Sequence, residues 1–155
     1  MRDKTGGGGG DGTLTIREMR GEDYDAVVEV WLLSGLRFSA DGRDSREAVL
    51  KQLEDAASIF FVAELDGRIV ATALCTQDGR KGWINRLAVL PEYRRMGIGG
   101  SMVREAERRF DALGLEVYSC LIMGDNLVSQ EMFSHLGYRK QDEVLYFSKR
   151  TRDGA

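Results

Sequence analysis

The residues with the clearest chemical potential run from Leu87 to Ser101: Leu87-Ala88-Val89-Leu90-Pro91-Glu92-Tyr93-Arg94-Arg95-Met96-Gly97-Ile98-Gly99-Gly100-Ser101. They read as a strand, a short basic loop and a glycine-rich helix start. The first N–H groups of a helix have no internal acceptor, and the helix dipole adds partial positive charge there. Glycines at 97, 99 and 100 remove side chains that would hold an anion away from those donors, and Arg94 and Arg95 add charge beside them. The chemistry this suits is capture of a phosphate or pyrophosphate. A nucleoside-triphosphate loop would need Lys-Ser/Thr after its last glycine, and a dinucleotide fingerprint would need a third glycine where Met102 stands. Neither pattern is met, which leaves a different phosphate-bearing ligand or a plain glycine-rich turn.

The remaining elements must position that segment. Leu14 to Met19 alternates as a half-buried strand, Gly21-Glu22-Asp23 opens a helix whose buried stripe is Val27, Val30 and Trp31, and residues 34–43 read as a loop. Asp44 and Glu47 have the spacing of a helix start, continued by Val49, Leu50, Leu53 and Ala57. The period then changes: strands are expected at 59–65, 69–76 and 83–89, separated by the Asp66-Gly67 and Asp78-Gly79 turns. Ile98, Met102, Ala106, Phe110 and Leu113 mark a helix lying over a sheet, ended by Gly114. A strand at 115–122, a helix at 126–136 and a last strand at 144–148 complete the order. The expected fold is a mixed α/β domain.

The chain has 155 residues, 43% of them hydrophobic, which is enough for one core. Residues 1–12, with their glycine run, are expected to be a disordered tail, 13–150 the folded domain and 151–155 a flexible end. A formal charge of −3 recruits neither nucleic acid nor an anionic membrane, and no apolar run is long enough to span a bilayer. The expected setting is cytoplasmic, as a monomer or homodimer. Cys75 and Cys120 lie in apolar runs and read as buried thiols; with one histidine, His135, they do not make a zinc site, and no metal is expected.

Arg94-x-x-Gly97-x-Gly99, after Leu-Ala-Val and a proline, resembles the pyrophosphate-binding motif of the GNAT superfamily of acyltransferases. Asp125-Asn126, followed by Phe133 and Leu136-Gly137-Tyr138, is similar to that family's second motif, and the likeness extends over about residues 14–149. Among its members the chain broadly resembles the small bacterial enzymes that acetylate ribosomal-protein N-termini. The resemblance implies a mostly antiparallel sheet of about six or seven strands splayed into a V, with about four helices. It implies acetyl-coenzyme A as co-substrate and a small-molecule or peptide amine as acceptor. The pantetheine arm would lie along Leu87, Ala88 and Val89, the pyrophosphate on Arg94, Arg95, Met96, Gly97, Ile98, Gly99, Gly100 and Ser101, and Asn126 and Phe133 would approach the pantetheine and thioester.

The family pattern also breaks in this chain. Where many members place a proton-donating tyrosine there is Phe133, and a phenyl ring has no proton to give. Where the ribosomal-protein enzymes carry a glutamate there is Leu121, and the strand at 83–89 has no carboxylate, so no catalytic residue is assigned. Glu64, Asp78, Glu92 and Tyr118 are the remaining candidates for a proton relay. Deprotonating a lysine amine of pKa about 10.4 near neutral pH costs about 4 kcal/mol, and an α-amine of pKa about 8 less than about 1. A site with weak base chemistry therefore favours an α-amine. Two alternatives stand beside acetyl transfer: a coenzyme A-binding or sensing module without turnover, and an enzyme using a longer acyl group accommodated by Met96, Met123 and Met132. The acceptor side falls to residues 34–43 and the chain after Tyr138, where Arg37, Phe38 and Arg43 suit an acidic or amphipathic acceptor.

Overall fold

A computed structural model describes residues 12–153 and 155. The expected tail at 1–12 lies, but for Gly12, outside the described residues. Five strands form one sheet in the order β1-β2-β3-β4-β5. They are β1 Thr15–Glu18, β2 Ser58–Leu65, β3 Arg68–Gln77, β4 Gly82–Val89 and β5 Tyr118–Cys120. The helices are α1 Tyr24–Leu33, α2 Arg46–Leu53, α3 Ile98–Ala112 and α4 Leu127–His135. The expected mixed α/β architecture with four helices is present, with five strands in place of six or seven.

β1 to β4 form an antiparallel meander, and β5 joins β4 in parallel after the α3 crossover. Side chains of the sheet alternate between two layers of core. Trp31 of α1 covers the face of Val62 and Thr72, donating its indole N–H to Thr72 Oγ1 at 3.1 Å. α3 covers the opposite face, with Arg109 over the Phe61 ring. Trp31, Phe61, Phe110 and Met102 are wholly buried in these layers.

Three expectations need correction. The helix start at Asp44 is displaced by one residue: Ser45 is the cap and accepts from the Ala48 N–H at 3.2 Å. Asp44 turns inward instead. The strand at 115–122 is reduced to Tyr118–Cys120, because only Gly82, Trp83 and Ile84 of β4 pair with it before the two strands part. The strand at 144–148 does not form. Val144, Leu145, Tyr146 and Phe147 are exposed and meet no ladder partner, and a β-forming composition makes no strand without a neighbour to bond.

Candidate active site

The parting of β4 and β5 creates the site. Ladder pairing ends at Ile84 with Cys120, while β4 continues to Val89. The Leu90 N–H donates to the Val70 carbonyl at 2.9 Å, so by antiparallel alternation Ala88 directs its backbone groups to β3 and Leu87 and Val89 direct theirs into the gap. The Leu87 groups and the Val89 N–H have no partner among the described residues. The Val89 carbonyl is already engaged, accepting from Ser34 Oγ at 3.1 Å and from Arg94 Nε at 3.3 Å.

Beyond β4 the chain makes one turn of 3-10 helix, Pro91–Tyr93, and then two left-handed residues, Arg95 (φ 64°) and Gly97 (φ 78°), before α3 begins. Only the second of these carries no Cβ penalty. This alternation aims successive N–H groups to one side, a nest for an anion. Among the described residues no oxygen accepts from the N–H groups of Arg95 through Gly100, and Ser101 is the first to be satisfied, donating to the Gly97 carbonyl at 3.1 Å. Its hydroxyl also donates there, so Ser101 closes the nest and has no donor left over. Gly99 permits the close fit of the nest against the rest of the fold. A Cβ at that position would lie 2.9 Å from Met132 Sδ, so a larger residue displaces the Met132 side chain from its place against α3. Arg94 folds back over Val89 and approaches the Ser34 carbonyl at 3.5 Å, bracing the loop instead of projecting over the nest.

A cleft of about 770 Å³ runs between β4 and the β5–α4 connection, and its walls include Leu87, Asn126 and Phe133. Asn126 is an N-cap, its Oδ1 accepting from Ser129 N–H at 3.1 Å. Phe133 is buried edge-on against Tyr138, ring centres 5.0 Å apart. Gln130 Nε2 donates to the carbonyls of Met123 and Gly124 and so holds the turn that carries Asp125. A smaller cleft of about 310 Å³ near Met19, Phe60 and Arg109 lies away from the nest and brings none of the expected site residues together.

None of the four relay candidates reaches the cleft. Glu64 pairs with Arg17 at 2.6 Å, Glu92 with Arg68 at 2.6 Å, and Asp78 accepts the Arg80 and Lys81 N–H groups in its own turn. The Tyr118 hydroxyl bonds Asp111 on α3, and that carboxylate pushes the phenol up to about 12. His135 is exposed, with Nδ1 2.8 Å from the Glu131 carbonyl. Burial pushes the Cys75 thiol up to about 12 and the Cys120 thiol, on the cleft wall, up to about 11, so both stay protonated near neutrality. Neither is in a disulfide, and among the described residues no group of three or more metal-ligating side chains is placed to hold an ion.

The sequence reading missed the pair that organises the other end of the cleft. A β-bulge in β4, where Leu74 faces Arg86 and Cys75 faces Ile84, leaves Asn85 as the extra residue. Arg86 lies over the Trp31 ring at 4.3 Å and donates to Asp44 Oδ1 and to the Arg37 carbonyl. Asp44 Oδ2 accepts the Ser39 N–H at 2.9 Å, and Tyr24 donates to the Asp44 carbonyl at 2.7 Å. One buried carboxylate and one guanidinium thus hold the whole 37–44 loop over the cleft. No local motif announces this, because the partners are 42 residues apart.

The fold that holds this parted strand and this nest of amides is shared with known proteins. The acetyltransferase (GNAT) family matches residues 24–138. This chain belongs to that family. It is 29% identical over 137 residues to "Acetyltransferase SG1711" of Sodalis glossinidius, covering 88% of this chain and 95% of the relative. A similar fold occurs in the PaiA N-acetyltransferase of Thermoplasma acidophilum in complex with coenzyme A (20% identity, TM-score 0.77, covering 84% of this chain and 92% of that one). It occurs also in an aminoglycoside acetyltransferase from an uncultured soil metagenomic sample in complex with sisomicin (17% identity, TM-score 0.75, 90% and 97% covered). Among the described residues of this GNAT acetyltransferase no helix is long and apolar enough to cross a membrane.

Proposed function

We propose that this chain moves an acetyl group from acetyl-coenzyme A to the α-amine of a small molecule or peptide by direct attack. The observation that carries the reading is the run of unpartnered N–H groups from Arg95 to Gly100 at the end of a strand whose outward groups at Leu87 and Val89 face a gap. The pyrophosphate would take those amides, and the amide-bearing pantetheine arm would add to β4 as a further strand. Among the described residues, the Val89 N–H and both Leu87 groups are the ones left free to pair with it. Asn126 and Phe133 would flank the far end of the arm in the cleft.

The amine nitrogen, held as the free base, attacks the thioester carbonyl carbon. A C–N bond forms, the C–S bond breaks, the sulfur leaves with the electron pair as thiolate, and the nitrogen loses one proton to water. Proximity supplies much of the acceleration. A coenzyme A thiolate, with an ordinary thiol pKa of about 8.5, leaves without obligatory protonation, which suits a site with a phenyl ring at position 133. That ring, together with the lack of any relay candidate in the cleft, is also what favours a coenzyme A-binding module without turnover.

Calorimetry with acetyl-coenzyme A, followed by free-thiol release with a panel of amines, tests the reading. Binding in the micromolar range with thiol release is expected. Absence of binding at millimolar cofactor overturns it. Phe133→Tyr separates enzyme from binding module: a gain of about tenfold or more in turnover marks a working site short of a proton donor. Tight binding with no turnover by either form marks a module.

A further inference from the structure

The cleft is unevenly charged, and the imbalance limits what can enter it. Arg37 and Arg43 line its loop end, and Arg86 lies beneath them. Of the carboxylates in the walls, Asp44 is spent: one oxygen takes Arg86 and the other takes the Ser39 N–H. Arg86 is neutralised by the same contact. Arg37 and Arg43 are exposed, and among the described residues neither guanidinium has an ion-pair or hydrogen-bond partner. The other carboxylate, Asp125, is exposed on the opposite wall beside Asn126, with no ion-pair partner among the described residues. The cleft walls therefore carry two free cations and one free anion among the described residues, in a protein whose formal charge is −3.

We propose that the acceptor is an amine that also carries a carboxylate: the carboxylate docks on Arg37 and Arg43, and its ammonium group enters beside Asp125 before losing a proton to water and attacking. This rests on the acetyl-transfer reading above and specifies its acceptor. A polycation such as an aminoglycoside or polyamine is disfavoured, because it meets two unpaired guanidinium groups and only one available carboxylate. Like charges confronting each other in a cleft reject a partner as effectively as complementary ones select it. The loop is a fixed platform for this contact, since Arg86 grips the Arg37 carbonyl and Asp44 grips the Ser39 N–H. Neither anchor uses the side chain of Arg37 or Arg43, so these two can be replaced without dismantling the loop.

The test measures thiol release with L-alanine and L-glutamate, with their α-carboxamides, and with spermidine and kanamycin. The free acids should surpass the carboxamides by about tenfold or more in kcat/KM, expressed through KM, the size expected for losing charge-assisted hydrogen bonds. The polycations should be poorest. The double variant Arg37→Gln with Arg43→Gln should erase the preference while coenzyme A affinity and melting temperature stay as in the parent. A carboxamide or polycation that equals the free acids, or a preference that survives the double variant, overturns the proposal. If no amine turns over, calorimetry of the same compounds into the coenzyme A-loaded protein gives the same comparison, and equal binding overturns it. Failure to bind acetyl-coenzyme A would instead remove the underlying function, which separates the two outcomes.

Discussion

The two ends of the site are built on opposite principles. The nest at Arg95 to Gly100 presents main-chain N–H groups, needs small or absent side chains, and lies within one contiguous stretch of chain. The loop end of the cleft recognises with side chains, and depends on a bulge in β4 and on a carboxylate 42 residues from its arginine. The first tolerates loss of a neighbouring side chain but not the addition of one at its glycines; the second depends on the side chains themselves.

Replacements at each end can sharpen or break that contrast. The largest effect should come from Asp44→Ala, which leaves the half-buried Arg86 without its carboxylate, held only by the Arg37 carbonyl and the Trp31 ring, and frees the Ser39 N–H. A loss of about 2 kcal/mol in denaturant unfolding is expected, with a raised acceptor KM and little change in coenzyme A affinity. Gly97→Val should come next. A β-branched residue at φ 78° is strained by about 1–2 kcal/mol, so coenzyme A binding should weaken by about tenfold or more, read by calorimetry. Arg95→Ala should do much less, under about 1 kcal/mol in cofactor binding, because an exposed charge contributes little. If Arg95→Ala proved as damaging as Gly97→Val, the nest would be a side-chain site after all and the contrast would fail.

A pH titration offers the smallest effect near neutrality and lies outside both ends. The Arg17 guanidinium beside Asp23 holds that carboxyl below its ordinary range, and Arg108 does the same for Glu105. A carboxyl depressed in the fold stabilises fully above its unfolded value, about 4, and the contribution disappears as pH falls through the lower folded value. Unfolding monitored from pH 7 downward should therefore show stability flat until about pH 5 and falling below about pH 4. Asp23→Asn should flatten the acid limb without altering acceptor preference.

The legibility of the chain follows the same division. The nest could be read directly, since glycine spacing at 97, 99 and 100 states which backbone is laid bare, and the structure places the unsatisfied amides there. The helices and the meander were legible from period and turn residues for the same local reason. Asp44 was misread as a helix cap because Ser45, with the same chemistry one residue later, takes that role. Val144 to Phe147 was misread as a strand because apolar composition cannot disclose whether a neighbouring edge exists. Glu64, Asp78, Glu92 and Tyr118 look alike as candidate relays until each is seen bonded elsewhere.

By itself the sequence determined the order of elements as far as α4, the glycine-rich turn before α3 and the absence of a tyrosine at position 133, because each depends on residues within a few positions of one another. The tertiary structure alone decided where β4 and β5 part, which of the carboxylates is spent, and which arginines face an open cleft. Those outcomes depend on contacts between segments tens of residues apart, whose meeting is set by packing of the whole core and leaves no local trace.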